Sequence, residues 1–255
     1  MTTHPSDNHA IRTVLFDLGG TLIYFDADWE EVQERASREL AAALRQFALD
    51  VDLEEFPRAF RVSMHAYYNE RGSEFVEYTT HYILRSLLEE KGLRDVPEHI
   101  LRAALRRMYA VSQEHWRVED DAVPTLEALR SQGYALGVVS NASDVADVQR
   151  LIDKAGLRDF FPTILISAAV GLRKPHPRIF HLALEQLGAR PECTIMVGDT
   201  LGADILGAHN AGLASVWITR RADTPDNKAH LDTIRPDATI AALAELPDLL
   251  KNWSR

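Results

Sequence analysis

From Pro124 onward, short apolar runs alternate with amphipathic stretches, and that alternation leaves the chain few folds. "PTLEALRSQG" predicts a helix with a glycine stop, "YALGVVS" a strand, "DVADVQRLIDKAG" a helix and "TILIS" a strand. The order repeats through "PRIFHLALEQLG", "TIMVGD", "ADILGAHNAG" and "SVWIT", and "IAALAELPDLLKNW" predicts a closing helix. Strands alternating with helices mean successive βαβ units and a parallel sheet covered on both faces. Near the start, "TVLFDL" reads as one more buried strand, stopped by Gly19 and Gly20. Between these parts the period changes. Trp29, Val32, Ala36, Leu40, Ala43 and Phe47 recur at spacings of three and four, the stripe of an amphipathic helix. Helical patterns continue through "FPRAFRVSMHAYYNE", "FVEYTTHYILRSLLEEKG" and "PEHILRAALRRMYAVSQEHW", with a break at Gly92 and Pro97. The expected fold class is α/β. A Rossmann-like doubly wound parallel sheet core is formed by residues 1–23 and 118–255, with an all-helical cap domain, residues 24–117, inserted after the first strand.

Composition narrows the function. With 28 basic and 38 acidic residues the net charge is −10, which repels a phosphate backbone and argues against nucleic-acid binding, while leaving room for a local basic pocket that binds a small anion. The single cysteine, Cys193, permits no internal disulfide and no thiolate metal cluster. The polar "MTTHPSDNHA" lacks the order of a leader, and no apolar run approaches the roughly 20 residues that span a bilayer. These features predict a cytoplasmic protein without membrane partners, as a monomer or homodimer.

In sheets of this kind ligands sit beyond the carboxyl ends of the strands. Those ends supply Asp17 after "VLF", Ser140 and Asn141 after "GVV", and Asp199 after "IMVG", with Asp204 five residues on and Lys174 in the turn "GLRKPHP". Carboxylates crowded into one crevice repel one another unless a cation neutralises them, and magnesium suits one or two carboxylates plus phosphate oxygens. Taken singly, each residue has a plainer reading. Asp199 could cap the helix near Leu201, Ser140 or Ser143 could cap the next helix, and Lys174 could be solvated.

Read in order, D-x-G-G-T-L, a strand ending in S-N, G-x-x-K-P and V-G-D-x-x-x-x-D resemble the four motifs of the haloacid dehalogenase (HAD) superfamily, over almost the whole chain. "KPHPRIF", "GDTLGADILGAHNAG" and "PDATIAALAEL" look like the subgroup with a helical cap after the first motif. The resemblance implies a hydrolase acting on a small phosphorylated substrate. Asp17 would be the nucleophile that becomes an aspartyl phosphate, and Lys174 its catalytic partner. Mg2+ would be held by Asp17, the Gly19 carbonyl, Asp199 and Asp204. Ser140, Asn141, Thr21 and the Gly20 amide would bind the phosphoryl group.

One position departs from that pattern. The family's phosphatases carry a second aspartate two residues after the first, as general acid and then base, and here that residue is Gly19. Positioned acid–base catalysis typically contributes roughly 10²–10⁴-fold. Asp26, Asp28, His65, His81 and His115 are the candidate replacements, and a good leaving group such as an acyl phosphate would lessen the need. Glycine also frees volume beside the nucleophile. Two alternatives stay open: a magnesium-independent dehalogenase, whose family version also lacks this aspartate but usually carries a bulky aromatic there, and a catalytically impaired binding or regulatory member. Tyr24, Tyr68, Arg71, Tyr78 and Arg85 are the candidate specificity residues of the cap.

Overall fold

The computed structural model describes residues 10–70 and 75–253. The chain opens with β1 (Thr13–Phe16) and β2 (Ile23–Phe25) and then passes into four helices: α1 (Trp29–Gln46), α2 (Glu55–Glu70), α3 (Thr80–Glu90) and α4 (Glu98–Gln113). It returns through β3 (Trp116–Val118), α5 (Ala122–Ser131), β4 (Ala135–Ser140), α6 (Val145–Lys154), β5 (Thr163–Ile166), α7 (Ser167–Val170) and α8 (Pro177–Leu187). After β6 (Thr194–Gly198) come a π-helical turn at Leu201–Ile205, α9 (Leu206–Asn210), β7 (Ala214–Ile218), α10 (Pro225–Lys228), β8 (Ala238–Ile240) and α11 (Leu246–Lys251).

Six strands form one parallel sheet in the order β5-β4-β1-β6-β7-β8, so β1 lies at its centre. Phe16 stands level with Val138 of β4 on one side and Val197 of β6 on the other. Side chains alternate along each strand with the period of two that a pleated strand imposes. Val14, Phe16, Val138, Val197 and Val216 bury one face, while Leu15, Val139, Leu165 and Met196 bury the other against α8 and α9. The inserted helices have an apolar core of their own, around Leu40, Leu44, Phe56, Leu84, Leu101 and Leu105. No helix among the described residues is long and apolar enough to cross a membrane.

Three expected helices are shorter than their sequence pattern. "FVEYTTHYILRSLLEEKG" becomes helical only at Thr80, because Phe75–Thr79 is held on the core instead. Glu77 N–H donates to the Gly171 carbonyl, Arg173 N–H to Phe75, and the Thr79 hydroxyl caps α3 at Tyr82 N–H. The pattern ending in "EHW" stops at Gln113, and Trp116–Val118 pairs antiparallel with Ile23–Phe25 as a two-stranded ribbon under the cap. At the C-terminus Ile240 closes β8 beside Ile218, and the helix starts only at Leu246, with Pro247 in its first turn.

Charge anchors the ribbon. The guanidinium of Arg221 lies 3.9 Å above the Tyr24 ring, and buried Glu119 accepts from both Arg220 and Arg221 at 2.9 and 2.8 Å. Arg220 also grips both oxygens of Asp121. Tyr24 is therefore an anchor of the ribbon rather than a specificity residue, since its ring is covered by Arg221.

Candidate active site

Asp17 follows Phe16 out of β1, and its N–H donates to the Val197 carbonyl at 2.9 Å. β1 lies between β4 on one side and β6 on the other. The crevice expected where strand order reverses therefore opens at this residue. Lys174 reaches into it with Nζ 2.6 Å from Asp17 Oδ1 and 2.6 Å from Asp204 Oδ1. Burial alone would lower the lysine's pKa, but the two carboxylates outweigh it and hold the ammonium above its usual range.

Asp199 completes the cluster. One carboxylate oxygen from each of Asp17, Asp199 and Asp204 lies within 4.8 Å of the others. Three buried carboxylates against one ammonium leave two negative charges uncompensated. The cost falls mainly on Asp199, whose nearest donor is the Thr200 hydroxyl at 3.4 Å. Burial, then Asp17 and Asp204, push its carboxyl up to about 8. Burial raises Asp204 to about 6 against the pull of Lys174. Such a donor set fits a hard divalent cation. Both Asp204 oxygens already accept protein bonds, one from Lys174 and one from Thr200 N–H at 3.0 Å. The oxygens left without a donor among the described residues belong to Asp17 and Asp199.

The backbone around this cluster is shaped by close approach. Gly20 sits at φ +81°, and a Cβ there would stand 2.5 Å from Asp199 Oδ2, so conformation and space both require glycine. Asp199 does not cap the following helix. Leu201 N–H is answered by the buried Asn227 Oδ1 at 2.7 Å, and Asn227 and Trp217 both donate to the Asp199 carbonyl.

One expected result follows from these charges. Without a cation, the stability tied to the Asp199 proton is complete below the ordinary value near 3.8 and is lost as pH rises through about 8. The metal-free protein should thus melt at lower temperature as pH rises from 5 to 8. Magnesium should reverse the fall, and Asp199→Asn should shrink the pH dependence to the share left by Asp204 and Asp147 and weaken the magnesium effect. Thermal melts at several pH values with and without magnesium check this.

Ser140 closes β4, 5% exposed, and lines the same cavity as Asp17 and Lys174. It is free of capping duty because Asp144 caps α6, accepting from Asp147 N–H at 2.8 Å. The other expected phosphate contacts have partners or positions of their own. Both ends of the Asn141 amide are taken by the Lys174 backbone, Oδ1 accepting its N–H at 2.8 Å and Nδ2 donating to its carbonyl at 3.0 Å. Asn141 therefore positions Lys174 and also lines the cavity beside Ser140. The Gly20 amide, expected to meet a phosphoryl oxygen, donates to the Ile23 carbonyl at 2.7 Å. Thr21 is fully buried and does not line the cavity, and its hydroxyl has no hydrogen-bond partner among the described residues.

The cavity above Asp17 has a volume of about 670 Å³ and runs up between the cap helices, where Trp29, Phe60, Met64 and Met108 give it apolar walls. Among the candidate proton donors only His65 lines it. Asp28 caps α1 at Glu31 N–H, His81 pairs with Glu98 at 2.8 Å, and His115 sits 3.3 Å from Arg35 and beside the Phe25 ring. Asp26 is exposed. A carboxyl not expected from sequence also lines the cavity. Asp147 accepts from Gln113 at 2.7 Å and is pushed up to about 7 by burial, with Asp144 adding to the shift. Of the specificity candidates, Tyr78 packs edge-on to Tyr67 and Arg85 pairs with Glu98, both off the lining. Arg71 and the Tyr68 side chain lie outside the described residues.

The space beside Gly19, which lines the same cavity, is narrowed on one side. A Cβ on Gly19 would meet Trp116 Cη2 at 3.3 Å, so the indole edge would have to give by a few tenths of an ångström to admit a side chain there. Phe25 holds that indole edge-on at 5.4 Å.

The family model of haloacid dehalogenase-like hydrolases matches residues 11–212. The glyceraldehyde 3-phosphate phosphatase of Methanopyrus kandleri is 32% identical over 245 residues, covering 96% of this chain and 99% of that protein. A HAD phosphatase structure from Thermococcus onnurineus superposes with TM-score 0.63 at 27% identity, covering 94% and 98% of the two chains. A 2-haloacid dehalogenase structure from Pseudomonas syringae pv. Tomato gives TM-score 0.67 at 26% identity, covering 96% and 100%. The chain belongs to the haloacid dehalogenase-like hydrolase family.

Proposed function

We propose that this hydrolase is a magnesium-dependent phosphatase of a small phosphorylated metabolite, working through an aspartyl phosphate on Asp17. The observation that carries the reading is the charge pattern: three buried carboxylates gather in one crevice with a single lysine, which bonds two of them. A dianionic phosphate could approach such a cluster only once a cation had neutralised it. Magnesium held by Asp17 and Asp199, with the Gly19 carbonyl, would supply that neutralisation and draw electron density from the phosphoryl oxygens. Asp204 would serve the ion chiefly through Lys174, which it holds in place.

An Asp17 oxygen attacks phosphorus and the bond to the leaving oxygen breaks. Lys174 and the Ser140 hydroxyl meet charge on the transferring oxygens. Water then attacks the phosphorus of phosphoaspartate, releasing phosphate and restoring the carboxylate. The leaving oxygen needs a proton in the first step, and the attacking water must lose one in the second. The indole beside Gly19 does neither, so the rate should depend steeply on the leaving group. Residues 24–117, taken as the cap, would close over the reaction and exclude water from it.

A second reading has one observation in its favour. Trp116 restores, from another strand, the aromatic bulk that the family's dehalogenases usually carry at the Gly19 position, and such an enzyme needs no second acid. The acid cluster weighs against it, because attack by Asp17 on carbon does not call for two further carboxylates. A substrate panel separates the two. With magnesium, phosphate release is expected fastest from acyl and aryl phosphates, and slower by roughly 10²–10⁴-fold from alkyl esters, the usual worth of a positioned acid. Halide release from 2-haloacids without magnesium, and no phosphate release, would favour the dehalogenase instead.

A further inference from the structure

Most basic side chains of the cap are already answered by an acid. Arg35 pairs with Glu114, Arg38 with Glu34, Arg85 and Arg102 with Glu98, and Arg107 with Glu39. Arg58, Arg94 and Arg106 have no ion pair among the described residues and are exposed on the outer surface. Arg61 differs from both groups. It is half-buried and lines the cavity that contains Asp17, and no carboxylate lies within ion-pair distance of it among the described residues. Its one hydrogen bond there runs from Nη1 to the Ser37 hydroxyl at 2.8 Å, a neutral partner that is itself buried. A guanidinium has five N–H donors in a planar fork that suits carboxylate or phosphate, so one neutral bond leaves most of it unused.

The surroundings extend the same chemistry. His65 stands one helical turn along α2 from Arg61, and Gln33 faces the cavity from α1. Together they give the roof hydrogen-bonding groups around one fixed positive charge, while Lys174 and the acid cluster form the floor. A roof made only to exclude water would not need a charged group drawn partly out of solvent without an acid to balance it.

We infer that Arg61, flanked by His65 and Gln33, is a second anion subsite, and that the substrate is a phosphate ester bearing a second anionic group, a carboxylate or another phosphate. This rests on the phosphatase reading. The reacting phosphate sits at Asp17 and the second anion meets the guanidinium in the roof, so the cap selects molecules charged at both ends.

The test compares matched pairs: phosphoglycolate with ethyl phosphate, and propane-1,3-diol bisphosphate with its monophosphate. In the wild type the doubly anionic member of a pair should have the higher kcat/KM by roughly 10- to 100-fold, the usual worth of a charge-assisted hydrogen bond. Arg61→Gln should collapse that ratio toward one, chiefly through KM. Arg61→Lys should keep part of it, and Arg58→Gln on the outer face of α2 should leave it unchanged. The pair that shows the larger ratio identifies carboxylate or phosphate as the second anion. A ratio that survives Arg61→Gln, or a wild-type ratio near one, overturns the inference while phosphate release upholds the phosphatase reading. Binding of phosphonoacetate against methylphosphonate, measured by calorimetry with magnesium, covers the opposite case. An Arg61-dependent preference without hydrolysis of any ester would keep the subsite and discard the phosphatase. No binding and no hydrolysis would discard both.

Discussion

Asp17→Asn is expected to abolish phosphate release, by roughly 10⁴-fold or more, the scale on which removal of a covalent nucleophile acts. The amide cannot attack phosphorus, yet its oxygen can still accept from Lys174 Nζ, now 2.6 Å from Oδ1. It also takes one negative charge out of a cluster in which Asp17 is among the causes that push Asp199 up to about 8. The variant should therefore remain folded and lose catalysis, and magnesium should raise its melting temperature less than it raises the wild type's. Steady-state phosphate release together with thermal melts checks both halves. Residual turnover within tenfold of wild type would mean that another group is the nucleophile.

The second large effect concerns the place of the missing acid. Gly19 does not have the positive φ of Gly20, so its backbone accepts a side chain, and the obstacle is Trp116 at 3.3 Å from the new Cβ. Gly19→Asp alone presses on the indole, which must give by a few tenths of an ångström, and should gain less than the variant that removes the ring. Gly19→Asp with Trp116→Ala opens that space, at the cost of the edge-on contact with Phe25. The double variant should gain roughly 10²–10⁴-fold on alkyl phosphates, the range of a restored acid–base group, and far less on aryl or acyl phosphates. Trp116→Ala alone is the control for loosening the ribbon. If the double variant gains nothing on alkyl esters while remaining folded, a proton donor already operates, and His65 and Asp147 are the lining groups to substitute next.

How much of this was legible in the sequence depends on whether a feature is local. The strand ends at Asp17, Ser140 and Asp199 follow from apolar runs stopped by polar residues, and parallel pairing then gathers them at one crevice without further information. Lys174 was legible as a cation on a stiff turn, but its grip by the Asn141 amide was not, because that contact joins residues 33 apart in the chain. Asn227 was missed for the same reason: it caps the segment after Asp199 from 26 residues away. By pattern Trp116 is the tail of a helix, since nothing local distinguishes that from a three-residue strand whose partner lies near residue 24. The cap lining was hidden for a different cause. Ala36, Met64 and Met108 sit on the inner stripes of their helices, and an inner stripe facing a cavity has the same spacing as one facing a core. The chosen aromatics and arginines, Tyr78 and Arg85 among them, instead answer neighbours on the cap surface.

On the proposed mechanism Asp17 carries the phosphoryl group, and the step after its capture lacks a positioned base. The most direct measurement mixes the protein with an acyl phosphate and magnesium, quenches in acid at short times, and locates the modification by mass spectrometry of the intact chain and its peptides. One phosphoryl group is expected on Asp17, accumulating before steady-state phosphate release and absent from Asp17→Asn. Phosphate release with no covalent phosphoryl at any time, or with the group on another residue, would contradict it.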